Sequence, residues 1–178
     1  MYTGIMYHCG LLFVLVLCTV AHAVAPGDLH KALNTDDPIW MKKRSYKLEG
    51  HECVRSTKVE LNETDYKFNQ TFKNGTEEQS KTLFAKLNDE VQKPYMNVSK
   101  TQGGRGIQYT LEYWSDDDKC GILTLQSANQ KMCEMHVWDS KVNAPSTTCE
   151  SAYSSVCMGQ SYTVYTEDCR TETAQEKS

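Results

Sequence analysis

The chain has 178 residues, 19 of them basic and 23 acidic, for a net charge of -4. That balance argues against nucleic acid or an anionic membrane surface as a partner, since both select clustered positive charge. A single domain with one core suits the length.

Residues 1–23 read as a secretory signal. Leu11 to Val20 is an apolar run too short to span a bilayer, and Ala21-His22-Ala23 has the small-x-small pattern of a cleavage site. This leader contains no charged residue, so the chain from 24 onward keeps the whole charge. Nothing after Ala23 is apolar enough for a membrane segment, which predicts a secreted, extracellular, monomeric protein. Cys9 and Cys18 leave with the leader. Cys53, Cys120, Cys133, Cys149, Cys157 and Cys169 remain, an even number in an exported chain and hence three expected disulfides. Six cysteines permit fifteen pairings, and spacing alone does not choose among them. The sequons at Asn62, Asn69, Asn74 and Asn97 predict a glycosylated surface.

From Pro38 the sequence reads as short β-runs at 39–48, 53–60, 65–73, 80–88, 95–99, 106–114, 119–126 and 131–138. Asn74-Gly75, Gly103-Gly104 and Asp116 to Asp118 supply turns between them. Eight strands at near-regular spacing predict an all-β closed antiparallel barrel or a sandwich. The clearest alternation lies in 107–114: Ile107, Tyr109, Leu111 and Tyr113 share one face, and Gln108, Thr110, Glu112 and Trp114 the other. Further on, Pro145 followed by Ser146 predicts a helix start, with Cys149 and Cys157 roughly on one helical face, able to bolt that helix to the barrel wall. The domain is expected to run over 24–169 and to end in a polar, flexible tail at 170–178.

Catalysis finds no support in motifs. There is no G-x-S-x-G run, phosphate-cradling glycine loop or H-E-x-x-H sequence, and after the leader only His30, His51 and His136 are present. Cys133 and His136 have C-x-x-H spacing, but no second ligand pair matches it, and an oxidising compartment favours a disulfide at Cys133. No metal and no cofactor are expected.

Pro38-Ile39-Trp40, Arg44-Ser45-Tyr46, Cys53-Val54, Phe72-Lys73-Asn74-Gly75, Tyr113 to Cys120, Cys133-Glu134-Met135, and the later Cys149, Cys157 and Cys169 together resemble one family, the tick salivary lipocalins related to histamine-binding proteins. The likeness covers nearly the whole chain after the leader. It implies an eight-stranded lipocalin barrel round an internal cavity, with an amino-terminal helix near Asp28 to Leu33 and a carboxy-terminal helix packed outside. It also implies pairing Cys53 with Cys169 and Cys120 with Cys149, leaving Cys133 for Cys157. Two departures stand out: Asp28-Leu29-His30-Lys31 lacks the tryptophan that often follows at this helix start, and His136 follows Met135 where many members carry tryptophan.

The likeness also assigns a site. Tyr46, Glu49 and Glu134 match positions that contribute to the cavity of amine-binding members. A buried ammonium needs a carboxylate at hydrogen-bond distance, and an aromatic face adds about 0.5–2 kcal/mol. Glu134, His136 and Trp138 share a strand face. Packing alone puts Ile107, Tyr109, Leu111 and Tyr113 inside the barrel, whereas the likeness puts Thr110 inside and with it Gln108, Glu112 and Trp114. Thr110 and Gly121 stand where amine binders use further acids, which argues against a second amine site. Lys42 and Arg44 share the parity of Tyr46, and inside the barrel they would need a partner such as Glu112, Glu134 or an anionic ligand. The resemblance thus implies capture of a small host mediator: first a biogenic amine, histamine or serotonin, and otherwise an eicosanoid or fatty acid such as a leukotriene. A surface that blocks a host protein such as a complement component is the remaining alternative.

Overall fold

A computed structural model describes residues 24–127 and 130–170. The expected signal at 1–23 and all but the first residue of the expected tail lie outside the described residues. A short helix α1 (Asp28–Leu33) is followed by strands β1 (Ile39–Arg44), β2 (Glu52–Leu61), β3 (Asp65–Asn74), β4 (Glu77–Asn88), β5 (Tyr95–Ser99), β6 (Ile107–Ser115), β7 (Cys120–Ser127) and β8 (Gln130–Trp138). A turn of 3-10 helix at Asp139–Lys141, helix α2 (Thr147–Val156) and a two-residue strand β9 (Tyr162–Thr163) complete the fold.

Each of β2 to β8 pairs antiparallel with its sequence neighbour, and β1 pairs with both β8 and β2, closing an eight-stranded barrel. Closure leaves no long bare edge for another chain to pair with. The β1–β2 seam is short, with partners only at Ile39↔Ser56 and Trp40↔Arg55. Further along, β9 takes the edge of β1 through Lys43↔Thr163 and Arg44↔Tyr162. There Cys53 N–H donates to the Val164 carbonyl at 2.9 Å and Val164 N–H to the Lys42 carbonyl at 3.0 Å. Cys53 has φ +50°, a left-handed backbone uncommon outside glycine, within a bulge between Glu52 and Arg55.

Inside, the apolar cluster is built from the inward faces of α1, β1, β3–β8: Leu29, Leu33, Ile39, Tyr66, Phe68, Ala85, Met96, Leu111, Trp114 and Leu123. α1 plugs one end of the barrel. Its first turn is held by Asp89, whose carboxylate accepts from Leu29 N–H at 3.0 Å and His30 N–H at 2.8 Å. A second cluster lies outside the wall, where α2 covers β7 and β8 through Ile122, Met135, Val137, Val142 and Tyr153. Ser146 caps α2 by accepting from Cys149 N–H at 3.3 Å. The Asp118 carboxylate accepts from Thr148 and Ser146, and these hydroxyls hold its pKa below the usual range.

The disulfides join Cys53–Cys169, Cys120–Cys149 and Cys133–Cys157. The latter two fix α2 and its C-cap to β7 and β8, so neither stitches its own hairpin; the first fastens the segment carrying β9 to β2. The first strand expected at 39–48 stops at Arg44, because the chain beyond it wraps back over the barrel mouth. β9 was not expected at all. Replacing Cys53 and Cys169 together by serine should lower unfolding free energy by about 2–5 kcal/mol in denaturant titrations, since the bridge closes a loop of more than a hundred residues; a smaller loss would mean that backbone pairing alone holds the seam.

Candidate functional site

Two β-bulges decide what faces the interior. On β6 the register moves from Leu111↔Leu123 to Tyr113↔Ile122, so Glu112 is an extra residue on one strand. The inward row is therefore Tyr109 and Leu111 before the bulge and Trp114 after it. Tyr113 turns outward to pack with the cluster under α2. Neither expected face of 107–114 is inside as a whole. Thr110, opposite Thr124, faces out, and Glu112 accepts from Thr124 Oγ1 at 3.0 Å with Lys93 and Lys131 each 3.9 Å away. The carboxylate of Glu112 is thus a feature of the outer wall, correcting the expectation that it enters the cavity.

On β1 the shift falls between Met41 and Lys43, so that Met41↔His136 and Arg44↔Glu134 face inward while Lys43↔Met135 faces outward. Lys42 is the extra residue of this bulge and does not share the parity of Arg44. Arg44 is 5% exposed. Its Nε donates to the Tyr46 carbonyl at 3.1 Å and its Nη2 to the Leu48 carbonyl at 2.6 Å, which explains why the chain curls over the mouth after β1. Glu49 does not enter the barrel: its side chain is 85% exposed and pairs with Lys47 at 3.1 Å.

Glu134 is the buried carboxylate. It is 3% exposed, accepts from Tyr46 Oη through one oxygen, and has His136 Nε2 at 2.8 Å from the other. Burial, then the adjacent carboxylate, pushes the Tyr46 hydroxyl far above its ordinary pKa, so it remains a donor. Tyr109 lies close enough to Glu134 to be shifted in the same direction, again mainly by burial.

Towards the plugged end the inward row of β8 continues to His136 and Trp138. There the barrel holds a partly open chamber of about 50 Å³ walled by α1 together with Ile39, Ser56, Tyr66, Phe68, Met96, Leu111, Trp114, Leu123, His136 and Trp138. At about 10–15 Å³ per water, that is room for a few water molecules. The indoles of Trp114 and Trp138 stand 5.8 Å apart at a tilt of 44°, and Gly121 opposite Trp114 leaves the wall bare where a side chain would approach both that ring and Leu111. Trp138 Nε1 donates to the Ala32 carbonyl at 2.9 Å, tying the ring to the plug. A larger hollow, of about 680 Å³, lies along β3–β5 and the loop 102–106. Its lining is mixed, Tyr66, Phe84 and Ala85 among polar residues, and holds neither the buried carboxylate nor the indoles.

Tyr46, Glu134, Trp114, Trp138 and Arg44 are therefore brought to one interior, whereas Glu49 and Glu112 are not. Tyr66 and Phe68 were missed as chamber residues, although their shared parity in the run Tyr66-Lys67-Phe68 carried the signal.

A closed eight-stranded antiparallel barrel with an internal chamber and a short helix at one end is the lipocalin fold. The sequence profile described as tick histamine binding protein matches residues 21–171, and the chain belongs to that family. Among proteins of curated function none matches the sequence significantly. Among solved structures, Japanin from Rhipicephalus appendiculatus, bound to cholesterol, is similar at a TM-score of 0.63 and 14% identity, over 78% of this chain and 98% of that one. AM182 in a serotonin complex is similar at a TM-score of 0.63 and 18% identity, over 82% and 94% of the two chains. At these identities the likeness is one of fold.

Replacing Arg44 by alanine should cost about 2–4 kcal/mol in urea denaturation, because hydrogen bonds to a charged donor are worth about 1.5–3 kcal/mol each. It should also speed amide exchange over 45–50; unchanged exchange there would show that the loop holds itself.

Proposed function

We propose that the protein is a secreted salivary lipocalin that takes up a small aromatic amine, histamine or serotonin, and sequesters it from the host without turnover. The observation that carries this reading is Glu134: a carboxylate inside the barrel, 3% exposed, directly above a chamber lined by indoles. A carboxylate has about four acceptor sites, and Tyr46 and His136 use two. The others suit an ammonium, and the indoles suit the ring attached to it. The chamber as it stands is smaller than such a ring, so its side chains must part on entry. Met96, unbranched and adaptable, is the wall residue best suited to yield.

The inward position of Arg44 favours a second reading, an eicosanoid or fatty acid whose carboxylate meets the guanidinium. Against it, Nε and Nη2 are already committed to the loop carbonyls. A surface blocking a host protein has weaker support, since the exposed large apolar residues Leu48, Val59, Val91, Ile107 and Met158 sit on separate strands and loops. We read Asn62, Asn69, Asn74 and Asn97 as glycan-bearing and the protein as a monomer. Asn62, Asn74 and Asn97 are exposed, and Asn69 lies on the outer face of β3.

Calorimetry with histamine and serotonin tests the reading. Glu134→Gln should weaken the bound amine at least tenfold, since a charge-assisted contact is worth about 1.5–3 kcal/mol, while Arg44→Ala should not abolish amine uptake. Unchanged affinity in Glu134→Gln, or uptake of leukotriene but of neither amine, would rule it out.

A further inference from the structure

The sequence has three tryptophans, and two have their indole N–H satisfied: Trp40 Nε1 donates to Asp139 Oδ1 at 2.7 Å and Trp138 Nε1 to the Ala32 carbonyl at 2.9 Å. Trp114 Nε1 is buried and has no hydrogen-bond partner among the described residues, and the same is true of Tyr66 Oη. Both residues line the chamber and are more than nine-tenths buried, Tyr66 at 2% exposure and Trp114 at 8%. A buried donor left unpaired is expensive, and native folds rarely tolerate one without a reason. Two in one chamber, on strands β3 and β6 from different parts of the wall, leave donor capacity there for a guest that brings an acceptor.

The acceptor has a definite character. An indole N–H can only donate. Burial holds the Tyr66 hydroxyl well above its ordinary pKa, so it stays protonated and can donate as well. Neither group carries a charge, and apart from Ser56 and His136 the surrounding wall is apolar, so the complement is an oxygen acceptor, a hydroxyl or carbonyl, on an otherwise apolar body. Its position along the barrel is also set. Trp114 pairs with Gly121 and Gly121 with His136, two residues from Glu134 on the inward row of β8. At about 3.3 Å per residue, the row that holds Trp114 lies about 7 Å along the strand from the carboxylate row.

We propose that Tyr66 and Trp114 form a deep acceptor-recognition pocket that selects aromatic ligands bearing a hydroxyl or carbonyl at the end of the ring remote from the ammonium. This rests on the amine reading for the orientation of the ligand, with Glu134 holding the cation at the mouth and the donor pair meeting oxygen at the plugged end. Tyr66 and Trp114 are then specificity determinants: an amine without the ring oxygen enters, but leaves both donors unpaired.

The test compares ligands that differ by one oxygen. By calorimetry the protein should bind serotonin at least tenfold more tightly than tryptamine. Tyr66→Phe should bring that ratio down severalfold, and its melting temperature will show that the barrel is intact. Trp114→Phe, which removes the other donor, should narrow the ratio too. 5-Hydroxyindole against indole repeats the comparison without an ammonium. A preference for the hydroxylated indole, lost in Tyr66→Phe, would support the donor pocket even if no amine bound, and that pattern would defeat the amine reading alone. Equal binding of both members of each pair by the parent protein, including no binding at all, or a ratio unchanged by Tyr66→Phe, would overturn the pocket.

Discussion

The closure of the barrel rests on a seam two residue pairs long. β1 and β2 meet only at Ile39↔Ser56 and Trp40↔Arg55 before β1 bulges at Lys42 and the strands part. A gap of this kind would expose unpaired N–H and C=O groups on both sides. The carboxy-terminal segment fills it, with β9 on β1 and Val164 hydrogen bonded to both Lys42 and Cys53. Because so short a strap has little pairing of its own, the covalent tie from Cys53 to Cys169 is what keeps it in place.

The interior depends in turn on the bulges. In an unbroken strand, alternate residues face alternate sides, and one extra residue reverses everything beyond it. The bulge at Lys42 aims Arg44 inward beside Glu134; the one at Glu112 aims Trp114 inward and Tyr113 outward. The barrel acquires two zones as a result. Near the mouth are Arg44, Tyr46 and Glu134, with His136 between Glu134 and the chamber, and near the plug is an aromatic chamber with two unmet donors.

Much of this was legible in the sequence. The eight strands show as β-rich runs between turn residues, and the alternation in 107–114 correctly marks a half-buried strand. Ser146 before a run with cysteines eight apart marks the helix start, and the disulfide pairing came with the family resemblance. What was hidden is local register. Nothing in Lys42-Lys43 or Leu111-Glu112-Tyr113 announces a bulge, because the shift is imposed by the partner strand and by curvature of the wall. The family resemblance places Glu49 in the cavity, but the Arg44 guanidinium turns the chain over the mouth instead. Asp89 as the cap of α1, from sixty residues away, and the unmet donors of Tyr66 and Trp114 belong to tertiary structure alone.

Helix α2 lies across β7 and β8 with a sulfur bolt near each end. The wall so clamped is the one that carries Glu134, His136 and Trp138, and it has little freedom to bow. Among the described residues, strands β3, β4 and β5 have no helix over them and no cystine through them; their inner surface is Tyr66, Phe68, Ala85, Leu87 and Met96. Any swelling that admits a guest must therefore be one-sided, with the greasy flank giving way while the polar flank stays as a fixed ruler against which the guest is measured.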